Sequence, residues 1–255
     1  MRMRILAQVA IAAGLAAQPV SADGDGGDDD TGWHFHVAPY LWMASLEGDL
    51  ATISGLPPVE VDASFDDILD ETDFAFMLAA EARHDRFGLF ADVAFMELSL
   101  DEETRGPFFG GVDLETDTFF ATVAGFYRLV EKERGAVDVA VGARVWDVET
   151  VLEFKPGILA GRRASDHDAW VDPVVGARGS LQLLGPLFLS AGVDIGGFGA
   201  ASTFTWQGIV TLDVRPFEWL AIRGGYRHLY VDYDHSGFVW DVVMAGPILG
   251  ASIHF

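Results

Sequence analysis

From Trp33 onward the chain alternates apolar and polar residues at the two-residue period of a β-strand. In 204–215, Phe204, Trp206, Val210, Leu212 and Val214 share one face. Thr205, Gln207, Thr211, Asp213 and Arg215 share the other, and Ile209 breaks the pattern. In 169–183, Val171, Val175, Ala177, Leu181 and Leu183 oppose Asp172, Arg178, Ser180 and Gln182. In 136–145, Val137, Val139, Val141 and Val145 oppose Asp138 and Arg144. The pattern predicts strands over 33–46, 73–84, 87–100, 112–130, 136–154, 169–183, 187–198, 202–215, 220–231 and 238–255.

The connections differ in length at the two ends of these segments. Those at Asp85-Arg86, 131–135, 184–186 and 216–219 are tight, whereas those at 47–72, 101–111, 155–168 and 232–237 are longer, with 199–201 a brief exception. This rhythm predicts an all-β protein, a transmembrane antiparallel β-barrel of about ten strands with a long acidic first extracellular loop. An even strand count puts both termini on the periplasmic side. The last strand sets Ala251, Ile253 and Phe255 on one face and ends on the aromatic ring; it resembles the membrane-insertion signal of bacterial outer-membrane barrels. Alternation alone leaves open which face is inside, because a soluble barrel turns its apolar face inward and lipid reverses that preference. The chain end, the loop rhythm and the N-terminal segment together favour apolar-out.

That N-terminal segment has Arg2 and Arg4, a mostly apolar run from Ile5 to Ala17, and Val20-Ser21-Ala22 as a small-x-small cleavage site. Residues 1–22 therefore read as a cleaved signal peptide. The run is too short for a comfortable spanning helix, which needs about 20 residues. Residues 23–32 begin with only Asp and Gly and read as a disordered acidic leader, leaving 33–255 as the barrel. Aromatic residues gather near segment ends: Phe74, Phe76, Phe204, Trp206 and Tyr230 at one, Phe35, Phe87, Tyr127, Phe217, Trp219 and Phe255 at the other. Such rings suit a membrane interface.

Net charge is −23, with only two lysines, Lys132 and Lys155, among sixteen basic residues. That balance argues against a nucleic-acid partner. Residues 47–73 hold nine acids and no Lys or Arg. Within them, Ser64 followed by Phe65, Asp66, Asp67, Ile68 and Leu69 predicts a short capped amphipathic helix, a candidate lid over the barrel mouth. Cysteine is absent, so stability rests on burial and strand hydrogen bonds.

With polar faces inward, the lumen receives an ion network of Glu81, Arg83, Asp92, Asp138, Arg144, Asp172, Arg178, Asp194, Asp213, Arg223 and Arg227. An Arg fork matches a carboxylate in two-pronged fashion. Barrels of about eight strands are filled by their own side chains, whereas open channels appear at roughly sixteen. The lumen is therefore expected to be plugged or narrow. Asp166-His167-Asp168 and Asp232-Tyr233-Asp234-His235 fall on expected outer loops, where carboxylate and imidazole can activate water or bind zinc. Omptin-type proteases, also ten-stranded barrels, use Asp and His at their extracellular rim; the likeness is of architecture and residue type, without a shared motif. His34 and His36 share one strand face but lack an identifiable third ligand. No cofactor motif occurs: Gly196-Gly197-Phe198-Gly199 lacks the Lys-Ser or Lys-Thr of a phosphate loop.

Pro39-Tyr40-Leu41-Trp42, Gly48, Phe65-Asp66-Asp67-Ile68-Leu69, Phe74, Met77, Glu81-x-Arg83 and Gly88-Leu89-Phe90-x-Asp92 resemble a group of uncharacterised proteobacterial outer-membrane barrel proteins. The resemblance covers the first third of the chain and implies no activity. The expected function is a non-enzymatic envelope component, with a minor solute pore as a variant. Its expected partners are outer-membrane lipids, lipopolysaccharide and the assembly machinery. A surface hydrolase using the Asp/His clusters and a soluble periplasmic lipocalin-like binder are the alternatives.

Overall fold

The computed structural model describes residues 32–51, 58–102, 109–156 and 162–255. The expected signal peptide and nearly all of the acidic leader lie outside them. The chain forms β1 (Trp33–Trp42), β2 (Ser45–Ala51), β3 (Val59–Ala63), helix α1 (Phe65–Asp70), β4 (Thr72–His84), β5 (Phe87–Glu102), β6 (Phe109–Lys132), β7 (Gly135–Pro156), β8 (Arg162–Leu184), β9 (Leu187–Gly196), β10 (Phe204–Phe217), β11 (Leu220–His235) and β12 (Phe238–His254). Neighbouring strands pair antiparallel, and β1 pairs with both β4 and β12. β1 and β2 lie in succession along β12 as two halves of one strand, so the wall is a closed ten-stranded antiparallel barrel. At the closing seam, Phe255 N–H donates to the Phe35 carbonyl at 2.8 Å and Phe35 N–H to the Phe255 carbonyl at 3.2 Å.

The apolar faces point outward. Val137, Val139, Val141 and Val145 on β7, Val171 and Val175 on β8, and Val210, Leu212 and Val214 on β10 are all exposed. An exposed aliphatic belt around a closed sheet is stable where hydrocarbon is the solvent, and such sheets satisfy every backbone group within the belt. Phe74, Phe76 and Phe204 edge the belt on one side, and Phe35, Phe87, Phe217, Trp219 and Phe255 on the other, all exposed.

β6, β7 and β8 run 24, 22 and 23 residues, about twice the 9–11 residues that cross a bilayer. On most of these strands the outward positions beyond the belt turn from apolar to charged or polar. Glu97, Asp117, Glu149 and His167 follow one another in register across β5 to β8. Asp232, Asp241, Asp49 and Glu60 do so across β11, β12, β2 and β3. The sheet therefore continues into water as a collar. This corrects the expected loops 155–168 and 232–237. β7 runs on to Pro156 and β8 starts at Arg162, and only Ser236-Gly237 separates β11 from β12. Loss of the apolar period marks the edge of the belt there, while the backbone ladder carries on past it.

The first loop holds more than a helix. β3 pairs with β2 on the side where β4 would otherwise continue, and the β1–β4 ladder ends at Pro39–Leu78. Just above, the Trp42 N–H donates to the Met77 sulfur at 3.2 Å. Helix α1 begins as its sequence predicts: the Ser64 hydroxyl accepts from the Asp67 N–H, and the Asp67 carboxylate accepts from the Ser64 N–H at 3.0 Å. The Ser64 hydroxyl also donates to the Asp67 carboxylate at 2.6 Å, and this bond, with that from the Ser64 N–H, holds the Asp67 carboxyl below the usual carboxylate range. A depressed carboxyl stabilises the cap above the ordinary carboxylate pKa and loses that contribution as pH falls through its own lower value.

Two outcomes follow from the wall. A Cβ on Gly246 would stand 1.9 Å from the Met43 carbonyl oxygen, at the break between β1 and β2. Gly246→Val is expected to abolish the compact, heat-modifiable band on gels. The Asp232–Asp241–Asp49 register sets like charges opposite one another, so Asp241→Asn is expected to stabilise the barrel by about 0.2–1 kcal/mol. The gain should be read as a higher urea midpoint at low salt that shrinks at high salt.

Candidate functional site

Inward positions along the strands fill the lumen in three layers. The middle layer is a plate built on Arg144 and Arg227, both fully buried. Arg144 projects from β7 and donates to Thr122 Oγ1 at 2.9 Å, Thr205 Oγ1 at 3.2 Å and Asp194 Oδ1 at 2.8 Å. Arg227 projects from β11; its Nε donates to Gln207 Oε1 at 3.0 Å and its NH1 to the Tyr40 hydroxyl at 2.6 Å. NH1 also lies 3.0 Å from Asp92 Oδ2. The Tyr40 hydroxyl donates to Asp92 Oδ1 at 2.5 Å, and Gln207 Nε2 to Asp194 Oδ2 at 3.1 Å. Two guanidiniums and two carboxylates are thus joined through Gln207 into one neutral network. Burying these charges is tolerable only because each is paired and hydrogen-bonded.

Above the plate, toward the collar, the inward face is aromatic. Trp42 meets Phe120 edge-on with centroids 6.3 Å apart, and Phe120 meets Trp146 at 4.8 Å. Trp146 stacks on Trp170 at 5.6 Å and Trp170 on Tyr233 at 3.9 Å. Arg227 lies over Trp42 at 4.7 Å, coupling this layer to the plate. Asp172 supports the layer from behind: it accepts from the Ser202 N–H at 2.8 Å and hydroxyl at 2.6 Å, and the Ser202 hydroxyl accepts from Trp170 Nε1 at 3.1 Å. The alternation that predicted polar residues inward gave no sign of this layer, because a Trp at an inward position has the same period as a Trp at a girdle.

Below the plate the lumen opens toward the short turns as a cup of about 540 Å³. Arg178 crosses it, 2.6 Å from Glu81 and 3.2 Å from Asp138, with its guanidinium 4.0 Å over the Phe126 ring. Arg128 binds the same Asp138 at 2.9 Å and Glu131 at 3.0 Å. Arg223 stands 3.5 Å from Asp213, whose other oxygen accepts from Ser190 at 2.8 Å. Arg83 stands apart at the mouth and donates to the Asp85 carbonyl at 2.8 Å.

All eleven ionic residues expected in the lumen take inward positions, but they do not form one network. Arg144, Asp194, Arg227 and Asp92 make the plate. Arg178, Glu81 and Asp138 strap the cup, Arg223 and Asp213 lie on its far wall, and Asp172 and Arg83 belong to neither group. Tyr40, Gln207, Thr122, Thr205 and Arg128 are essential members that charge patterning on single strands did not single out. Their signal was the inward parity they share with the predicted residues.

The Asp/His clusters sit on strands rather than on outer loops, which corrects their expected place. The side chains of each divide between the two faces of the sheet. His167 points outward with Nε2 3.1 Å from Asp147 Oδ1. Asp168 points inward and accepts from the Tyr233 hydroxyl at 3.1 Å. Asp232 and Asp234 share the outward face of β11, opposite to Tyr233. Strand alternation thus separates residues adjacent in sequence. His36 and His254 face each other with ring centroids 5.4 Å apart. Among the described residues no group of three His, Cys, Asp or Glu side chains is placed to hold a metal ion.

No family model matches the sequence, and no curated protein matches it. Solved structures do. The outer membrane protease OmpT from Escherichia coli superposes with a TM-score of 0.53 at 8% identity, over 89% of this chain and 98% of that one. Ail of Yersinia pestis matches at 0.34 and 11% identity, over 88% and 99%. The translocator domain of autotransporter NalP from Neisseria meningitidis matches at 0.37 and 12% identity, over 89% and 90%. The likeness to OmpT is one of fold: a ten-stranded outer-membrane-type barrel.

Removing one member of the plate leaves its partners charged and buried. Arg227→Ala is expected to cost about 3–5 kcal/mol of stability, read from urea unfolding in detergent. Combined with Asp92→Ala, it should cost clearly less than the sum of the single changes, because the two side chains share one interaction.

Proposed function

We propose that this protein is a non-enzymatic component of the bacterial outer membrane whose lumen is sealed against through-flow. The observation that carries the reading is the plate: Arg144 and Arg227 reach into the middle of the lumen with no exposed surface, bonded to β1, β5, β6, β9 and β10. The aromatic layer stacked on it doubles the seal. Solute passage would require breaking the charged hydrogen bonds of two fully buried guanidiniums. The aliphatic belt with aromatic edges supports residence in a bilayer. The N-terminal sequence supports export by a cleaved signal, and Phe255 fits recognition by the assembly machinery.

The hydrolase reading is less well supported. The sheet sends His167 and Asp168 to opposite faces, so the imidazole and the carboxylate adjacent in that run do not act on one substrate position. The soluble-binder reading is opposed by the outward valines and leucines.

Reconstituted into planar bilayers, the folded protein is expected to show no steady unitary conductance; stable ion-conducting steps would overturn the sealed lumen. In cell fractionation, heat-modifiable protein is expected with the outer membrane, and recovery in the periplasmic extract would overturn the location.

A further inference from the structure

The cup below the plate has an uneven charge balance. On its β4–β8 side, Arg128 and Arg178 are matched by Asp138, Glu81 and Glu131. On its β10–β11 side, Arg215 and Arg223 have one carboxylate between them, Asp213. One oxygen of that carboxylate accepts from Ser190, and the other is buried without forming a hydrogen bond to either arginine. The Nε atoms of both arginines are buried and have no hydrogen-bond partner among the described residues. Arg223 reaches Asp213 only at 3.5 Å, and the Arg215 guanidinium lies over the Phe188 ring at 4.0 Å rather than on an acid. His254 Nε2 is likewise buried without a partner among the described residues. A guanidinium carries five donors and no acceptor. Two of them facing one shared acid therefore leave donors available to an added acceptor.

The space for such an acceptor is built in. Inward positions on the opposite wall are small, Ala79, Ala124, Ala140 and Gly176 among them, and the resulting volume of about 540 Å³ lies within the roughly 300–1,000 Å³ of small-molecule sites. The plate closes the inner end, so the cup is reached only from the short-turn mouth. The whole chain carries −23. A locally cationic wall in so acidic a protein is a specific feature of the cup.

We propose that this cup is a binding site for a small soluble oxyanion, a carboxylate or phosphoryl group held by Arg215 and Arg223 with the rest of the molecule against the alanine wall. The ligand enters from the side that carries the short turns. The guanidiniums project into the lumen and not toward the belt, so a solute reaches them and a bilayer headgroup does not. The sealed-lumen reading supplies only the blind inner end. The binding assay below is made in solution, so its outcome and the conductance outcome are separable.

The test is calorimetric titration of the full folded barrel in neutral detergent with inorganic phosphate and, separately, with benzoate. Saturable one-site binding of either probe is expected in the wild type. The double variant Arg215→Gln/Arg223→Gln should weaken it by roughly tenfold or more, since a hydrogen bond to a charged group is worth about 1.5–3 kcal/mol. His167→Ala, at the far end of the barrel, should bind as the wild type does, and heat-modifiable mobility certifies that each variant is folded. No saturable binding of either probe by the wild type overturns the site, and so does unchanged affinity in the folded double variant. Repeating the titration in nanodiscs of phosphatidylcholine with and without phosphatidylglycerol separates the sources. Equal affinity in both is expected, and loss of the site to the anionic lipid overturns the soluble ligand.

Discussion

Closure of the sheet is the constraint on which the rest depends. A strand in hydrocarbon has no water to satisfy its N–H and C=O groups, so the wall can have no free edge within the belt. Here the β1–β12 and β1–β4 ladders supply that closure, finished by the reciprocal bonds between Phe35 and Phe255. Once closed, the barrel gives every strand one face to the exterior and one to a lumen of fixed width. The outward face is aliphatic because its solvent is apolar. The inward face must fill the lumen, and it does so differently at each height.

The β1–β4 ladder stops at Leu78, and β3 occupies the flank of β2 beyond it. That irregularity lies next to the aromatic layer, where the Trp42 N–H turns to the Met77 sulfur in place of a carbonyl. Rings can fill an uneven wall because they pack by area and do not require a fixed set of hydrogen bonds. The Arg plate rests mostly on a regular one: Thr122, Thr205, Asp194 and Gln207 stand on strands whose ladders run unbroken at that level, whereas Tyr40 stands one residue past the last β1–β4 pair.

Energetically the plate and the aromatic layer play different parts. The plate contributes modest net stability, since desolvation of four charges offsets most of their attraction, but it makes any partial dismantling expensive. The stacked rings of Phe120, Trp146, Trp170 and Tyr233 supply buried area. A sealed lumen arises from the two together: area excludes water, and excluded water strengthens the ionic contacts beneath.

The sequence by itself determined the fold class, the number of staves and which residues of each strand share a face, because strand alternation is a local property; which of the two faces turns outward was decided by the closed sheet, whose valines and leucines are exposed. The sequence also announced α1, whose Ser64–Asp67 cap lies within a few residues. It could not show where a strand leaves the belt for water, so the collar segments around His167 and Asp234 read as loops. Nor could it say which inward residues meet. Arg227 finds Tyr40 and Asp92 only because closure brings distant strands around one lumen, whereas Arg223 meets Asp213 across the neighbouring β10–β11 pair. Height along the barrel, and with it the division into rings, plate and cup, is set by register, and register is a property of the assembled sheet.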